Sequence, residues 1–151
     1  MKRGFTLVEL IIVIIIVGVL ATLGLSQYQT VIEKSRGAEA RQVLSTLRSA
    51  CAAIWMQDGN TGACDAGNLG LSAAAAVTQG EVPGTTCWPT NFFRYTIQVA
   101  GAGDGITFRA VRCTTADTGK NPGAAAGSTR WLQLAIDYNA GTDTFTSSGG
   151  Y

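Results

Sequence analysis

The chain begins with a long apolar segment and continues with an amphipathic one. Residues 5–25 are almost all apolar, and about 20 such residues cross a hydrocarbon core of about 30 Å. Beyond them, apolar residues recur at spacings of three and four as far as Trp55, and the pattern fades at Asp58 and Gly59. The pattern predicts a single helix from Phe5 to about Gln57, apolar over residues 5–26 and amphipathic over residues 27–57.

The second half of the chain has the alternating pattern that is typical of strands. Apolar and polar residues alternate over residues 93–99 and 132–138. Glycine-rich residues 101–105 predict a hairpin into a strand over 106–113, and a turn at residues 139–141 leads to a short strand around Phe145. Four strands in meander order predict an antiparallel sheet laid against the C-terminal half of the helix, in an α+β fold.

Two stretches between these elements predict mostly irregular structure. Residues 61–91 form a connection, with a short helix expected over residues 72–77. Residues 114–129 form a long loop that contains Asn121, Pro122 and Gly123. Residues 58–151 together are therefore expected to form one globular head.

Composition argues against catalysis. The chain has 11 basic and 10 acidic residues, a net charge of +1, and no histidine. The usual general base and the commonest metal ligand are therefore absent from the sequence. No grouping of side chains suggests an active site, so we predict that the protein is not an enzyme and uses no cofactor.

Four cysteines form an even set without the close pairs of a zinc site: Cys51, Cys64, Cys87 and Cys113. In an oxidising compartment two disulfides are the better interpretation, and three pairings are open. Pairing Cys51 with Cys64 and Cys87 with Cys113 is favoured, because each bond then closes a modest local loop.

Glu9 is the exception within the apolar segment. A carboxylate at that depth in a bilayer costs roughly 2.5–3.5 kcal/mol, and such residues usually mark function. No lysine or arginine lies between Phe5 and Ile32. Cleavage between Gly4 and Phe5 would create an amine one helical turn from Glu9, on the same chain or on a neighbour.

These residues resemble a known signal. Residues 4–10, Gly-Phe-Thr-Leu-Val-Glu-Leu, follow a short basic leader and precede an apolar helix, as in the class III signal of type IV pilins and pseudopilins. The resemblance covers roughly residues 1–48. It implies that a prepilin peptidase removes residues 1–4 and methylates Phe5, and that Glu9 sets assembly by pairing with the N-terminus of an adjacent subunit. Ser26 departs from the proline of many family members, and the helix can run through it.

The resemblance implies a filament subunit with a pilin-like head. Its partners would be copies of itself, the prepilin peptidase and an inner-membrane assembly platform. The precursor would lie in the inner membrane and the product would be a filament on the cell surface. Two alternatives remain: a type II secretion pseudopilin in a periplasmic pseudopilus, and an unprocessed single-span anchor carrying a binding module.

Two further site types receive weak support. Some pseudopilins bind calcium in the loops of the sheet, and the candidate carboxylates here are Asp104, Asp117, Asp137 and Asp143. Asp in turns is more often a turn residue, so no metal site is predicted. Arg94, Arg109 and Arg112 suggest a basic strip for nucleic acid, but without clustered aromatic residues a solvated face is the better interpretation.

Overall fold

The computed structural model describes residues 6–72, 82–99, 105–116, 130–149 and 151. The longest element is the helix α1, Leu7–Asp58, which comprises 52 residues. It ends where Gly59 takes a φ of 68° and donates its backbone N–H to the Trp55 carbonyl at 2.8 Å. Glycine favours this left-handed geometry at a helix C-terminus, so the predicted stop lies within one residue of the observed one.

Within the described ranges, six strands follow α1. Leu71–Ser72 (β1) and Val82–Pro83 (β2) form a small parallel pair that the sequence analysis does not anticipate. The main strands are Phe93–Val99 (β3), Gly105–Arg112 (β4), Trp131–Asp137 (β5) and Thr142–Ser148 (β6). Of the predicted helix over 72–77, Ser72 belongs to β1, and the other residues lie outside the described ones.

The sheet is an antiparallel meander in the order β3-β4-β5-β6. Its register pairs Phe93 with Arg112, Phe108 with Leu134, and Leu134 with Phe145. The fold class predicted from the sequence, a long helix with a four-stranded antiparallel sheet, is therefore confirmed. Of the predicted loops, residues 101–104 and 117–129 lie outside the described residues. Gly105, the last residue of the first predicted loop, belongs to β4.

Contacts divide the chain into two compact units, Met1–Ser35 and Arg36–Tyr151. In the second unit, one face of α1 meets one face of the sheet to form the core. The helical contribution recurs at spacings of four and three, from Ala40 through Leu44 and Leu47 to Cys51. The sheet contributes alternate residues of β3, β4 and β5: Phe93, Tyr95, Ile106, Phe108, Ala110, Leu132, Leu134 and Ile136.

In the first unit, α1 runs continuously through Ser26, as the sequence allows. Every large apolar side chain from Leu7 to Leu25 is exposed, from 43% at Ile11 to 74% at Leu7. Among the described residues, α1 is the one helix long and apolar enough to cross a membrane. So much exposed apolar surface requires cover by lipid or by other protein.

Candidate functional site at the start of α1

Thr6 and Glu9 form a reciprocal set of hydrogen bonds at the start of α1. The backbone N–H of Thr6 donates to Glu9 Oε2 at 2.9 Å, and the Thr6 hydroxyl donates to the same oxygen at 2.8 Å. The backbone N–H of Glu9 is 3.2 Å from Thr6 Oγ1. This is a capping box, in which a Thr at the N-cap and a Glu three residues later satisfy backbone donors that the helix leaves unpaired.

This local role of Glu9 was not predicted from the sequence. The signal was present in the T-x-x-E spacing ahead of an apolar run, which is the sequence signature of a capping box. The hydroxyl and backbone N–H of Thr6, one turn away, are the partners that Glu9 has in the structure. A cation partner and a cap are nevertheless compatible, because a carboxylate has two oxygens.

The second carboxylate oxygen of Glu9, Oε1, is available as a hydrogen-bond acceptor. Both Thr6 donors reach Oε2, and within the described part of the chain no hydrogen bond to Oε1 is found. The next cation after Glu9 along the described residues is Lys34. The capping box therefore satisfies hydrogen bonds without supplying an opposite charge. Gly4 and Phe5 lie outside the described residues, so cleavage, methylation and pairing with an amine stay predictions.

The apolar run has one further polar group that is satisfied locally. The hydroxyl of Thr22 donates to the Gly18 carbonyl at 2.6 Å, one turn back along α1. Such a bond satisfies the hydroxyl within the helix's own backbone and leaves the apolar surface undisturbed. Between Leu7 and Ile32, Glu9 is the one Asp, Glu, Lys or Arg residue of α1, so no other side chain there carries such a charge.

Two disulfides staple the second unit. Cys51 and Cys64 are bonded with Cα atoms 5.3 Å apart, and Cys87 and Cys113 with Cα atoms 5.7 Å apart. This is the pairing favoured from the sequence. The first ties the end of α1 to the turn that follows it, and the second ties the segment before β3 to the end of β4. All four cysteines are buried.

The three arginines considered for a basic strip do not all lie on one face of the sheet. In β4 burial alternates along the strand, so Arg109 and Arg112, three residues apart, lie on opposite faces of the sheet. Arg112 is 1% exposed and donates from Nη1 to the carbonyls of Phe92 and Cys113 at 3.0 and 3.1 Å. Arg109 instead lies 4.6 Å over the Trp131 ring. The solvated face expected for these arginines is therefore wrong for Arg112, which lies on the core side of the sheet.

The carboxylates considered for calcium have other contacts where they are described. Asp137 Oδ1 accepts the backbone N–H groups of Asn139 and Ala140, which is a turn role. Asp143 forms an ion pair with Arg48 at 2.6 Å. Asp104 and Asp117 lie outside the described residues. No group of three metal-ligating side chains occurs within the described ranges.

Comparisons with known proteins place the most informative similarity at the N-terminus. Residues 1–25 match the prokaryotic N-terminal methylation motif. The chain is 33% identical over 70 residues to prepilin peptidase-dependent protein D of Escherichia coli (strain K12), an alignment that covers 46% of this chain and 48% of that protein. It is also 33% identical over 70 residues to type IV major fimbrial protein FimA of Dichelobacter nodosus, covering 46% and 45%.

These alignments span just under half the length of each relative. No solved structure gives a significant match. The similarity thus concerns the methylation motif and about half of the chain.

Proposed function

We propose that this chain, whose residues 1–25 match the prokaryotic N-terminal methylation motif, is a structural subunit of a type IV pilus-like surface filament. The observation that carries the proposal is the combination of an exposed apolar helix with one carboxylate near its start. An apolar helix of this length is stable in lipid before assembly, and among like helices after it. The names of the two relatives, one prepilin peptidase-dependent and one fimbrial, support the same class.

Processing is the first step of the proposed mechanism. A prepilin peptidase cuts between Gly4 and Phe5, which removes residues 1–4, and Phe5 is methylated on its new amine. The methylated amine keeps its positive charge. An inner-membrane platform then moves the chain from the bilayer into the growing filament.

Assembly is the second step, and Glu9 has a specific part in it. In the bilayer, the backbone N–H and the hydroxyl of Thr6 donate hydrogen bonds to Glu9 Oε2. In the filament, Glu9 Oε1 accepts a hydrogen bond from the positively charged amine of Phe5 on an adjacent subunit. An ion pair in an apolar bundle is favourable only when both charges are matched, so the pair selects one axial register over others. The head, residues 58–151, would form the outer surface, and catalysis has no part in this function.

A charge-neutral substitution separates the two roles of Glu9. Glutamine can fill the third position of a capping box as glutamate does, but it lacks the charge. We therefore expect Glu9→Gln to leave N-terminal cleavage intact and to abolish or strongly reduce filaments. Glu39→Ala, an exposed acidic residue of α1, is the matched control and should assemble normally.

The readout is mass spectrometry of the N-terminal peptide and of filaments sheared from the cell surface. Abundant methylated peptide beginning at Phe5 in the sheared fraction of the unmodified chain supports a surface filament. The same peptide confined to membranes would favour a pseudopilin, and a chain beginning at Met1 would contradict the family mechanism. Normal filaments from Glu9→Gln would show that capping, and not charge pairing, is what Glu9 provides.

A further inference from the structure

A glycine in the interior of α1 accommodates an aromatic ring. Gly37 is buried and lies at the start of the second unit, which begins at Arg36. A Cβ added at Gly37 would lie 2.5 Å from Cδ1 of Tyr151 and 3.2 Å from its Cγ. The ring therefore occupies the space that any side chain at this position would need. Glycine weakens a helix interior relative to alanine, so its presence here requires a reason, and the ring supplies one.

The Tyr151 ring is held from more than one side. It packs on the Phe93 ring with centroids 5.7 Å apart and planes tilted by 59°, the geometry that aromatic pairs prefer. The Tyr151 carbonyl accepts a hydrogen bond from the Ser147 hydroxyl at 2.9 Å. A second contact joins α1 to the residue before β3, because the guanidinium carbon of Arg36 lies 4.3 Å from the centroid of the Phe92 ring. Residues from α1, from the start of β3 and from beyond β6 thus converge on one point.

We propose that Arg36, Gly37, Phe92, Phe93 and Tyr151 form a clamp that pins α1 to the sheet where the helix enters the second unit. We call this set the neck clamp. The first fully buried core residue of α1 is Ala40, one turn beyond Gly37. Separation of α1 from the sheet that starts at this end must therefore displace Tyr151 before it can expose the core.

The neck clamp is a conformational device, and it does not depend on the proposed function. In a filament subunit it would resist any load that reaches the head through α1. In a chain of any other function it would suppress local opening of the same helical turn. Local opening of this kind has its own free energy and is measured by hydrogen exchange.

If the neck clamp exists, the change in Tm caused by Gly37→Ala should have opposite signs with and without the Tyr151 ring. In the unmodified chain, Gly37→Ala displaces the ring and should lower Tm by about 3 °C or more. In a chain that already carries Tyr151→Ala, the ring is gone and only the better helix propensity of alanine remains. There Gly37→Ala should raise Tm by about 2 °C.

The experiment uses the full chain in detergent micelles, with thermal unfolding and amide hydrogen exchange over residues 36–44. Tyr151→Ala should lower Tm and increase exchange in this segment at least threefold. Phe145→Ala is the matched control, because Phe145 is an aromatic residue of β6 with 47% of its surface exposed, and exchange over residues 36–44 should not change. The inference is overturned if Gly37→Ala has the same sign in both backgrounds, or if Tyr151→Ala leaves exchange in the segment unchanged. Neither readout involves filaments, so failure here leaves the proposed function intact.

Discussion

At the scale of single residues, Glu9 shows how one side chain can satisfy two requirements. Its position in an apolar run marks it as costly, and that cost points to function. Thr6 lowers the cost by donating its N–H and its hydroxyl to one carboxylate oxygen. What Thr6 does not supply is positive charge, and the proposed assembly mechanism takes that charge from a neighbouring chain.

Tyr95 provides a residue-scale prediction about alkaline pH. Its side chain is 3% exposed in the core. Burial, and to a smaller extent the negative charge of Glu39, raise the pKa of the Tyr95 hydroxyl well above its ordinary value of 10.0. The folded chain therefore keeps a proton that the unfolded chain releases above about pH 10. The contribution of the protonated Tyr95 hydroxyl to the free energy of unfolding is therefore complete below about pH 10 and is lost as the pH rises further.

We expect the free energy of unfolding to fall above about pH 10, and to fall less steeply in Tyr95→Phe, which cannot ionise. Urea unfolding of both chains between pH 7 and pH 11 measures the two slopes. Tyr138 has a pKa raised mainly by burial as well, so some decline should persist in the variant. Equal slopes would show that Tyr95 is not the group responsible.

At the scale of elements, periodicity located the amphipathic half of α1 and the strands β3, β4 and β5, because each of them has one face against the core. β6 is exposed along almost its whole length, and the turn before it predicted it. Leu44 and Leu47 follow helical spacing, and Phe108 and Ala110 follow strand alternation. The same alternation was available for Arg109 and Arg112, and applying it would have placed them on opposite faces. The parallel pair of β1 and β2 has only two residues in each strand, too few for any period to be visible.

The disulfides give an element-scale prediction. Cross-linking reduces the entropy of the unfolded chain, and the reduction grows with the length of the closed loop. The bonds join residues 13 and 26 positions apart. We expect replacing either pair by alanine to lower the free energy of unfolding by about 3 kcal/mol, with the Cys87–Cys113 pair costing about 0.6 kcal/mol more.

Urea unfolding of the two double variants measures this difference. Peptide mapping without reduction checks the pairing itself in the same samples. Peptides that join Cys51 to Cys87, or Cys64 to Cys113, would contradict both the structure and the pairing favoured from the sequence. Equal losses for the two pairs would point to strain or residual structure in place of loop entropy.

At the scale of the whole molecule, the two units differ in how their apolar side chains are covered. The second has its own core and two disulfides, whereas the first presents apolar side chains outward along α1. An exposed apolar surface of this extent is typical of a segment that contacts lipid or other protein. The proposed cycle, from bilayer to helical bundle, provides cover for that surface at both stages.

A charge in the middle of the apolar segment tests this division. Ile15 is 59% exposed, and an arginine at the centre of a spanning helix costs about 2.5–3.5 kcal/mol on insertion scales. We expect Ile15→Arg to move a large part of the chain from the membrane fraction to the soluble or degraded fraction in cells, measured by fractionation and blotting. Lys34→Ala, beyond the apolar run, should leave the distribution unchanged. An unchanged distribution for Ile15→Arg would contradict membrane insertion of this segment.

The sequence by itself determined the class of the molecule. Hydrophobic periodicity depends only on local spacing, so it defined α1 to within a residue at its C-terminal end and located the strands that face the core. The succession of strands and short turns predicted the meander order of the sheet. The methylation motif is likewise continuous in sequence and visible without a fold. The tertiary structure decided the contacts between residues that are far apart in the sequence. It placed Tyr151 against Gly37, buried Arg112 beneath Phe92, and brought β1 beside β2, because packing in three dimensions sets those contacts and no local pattern encodes them.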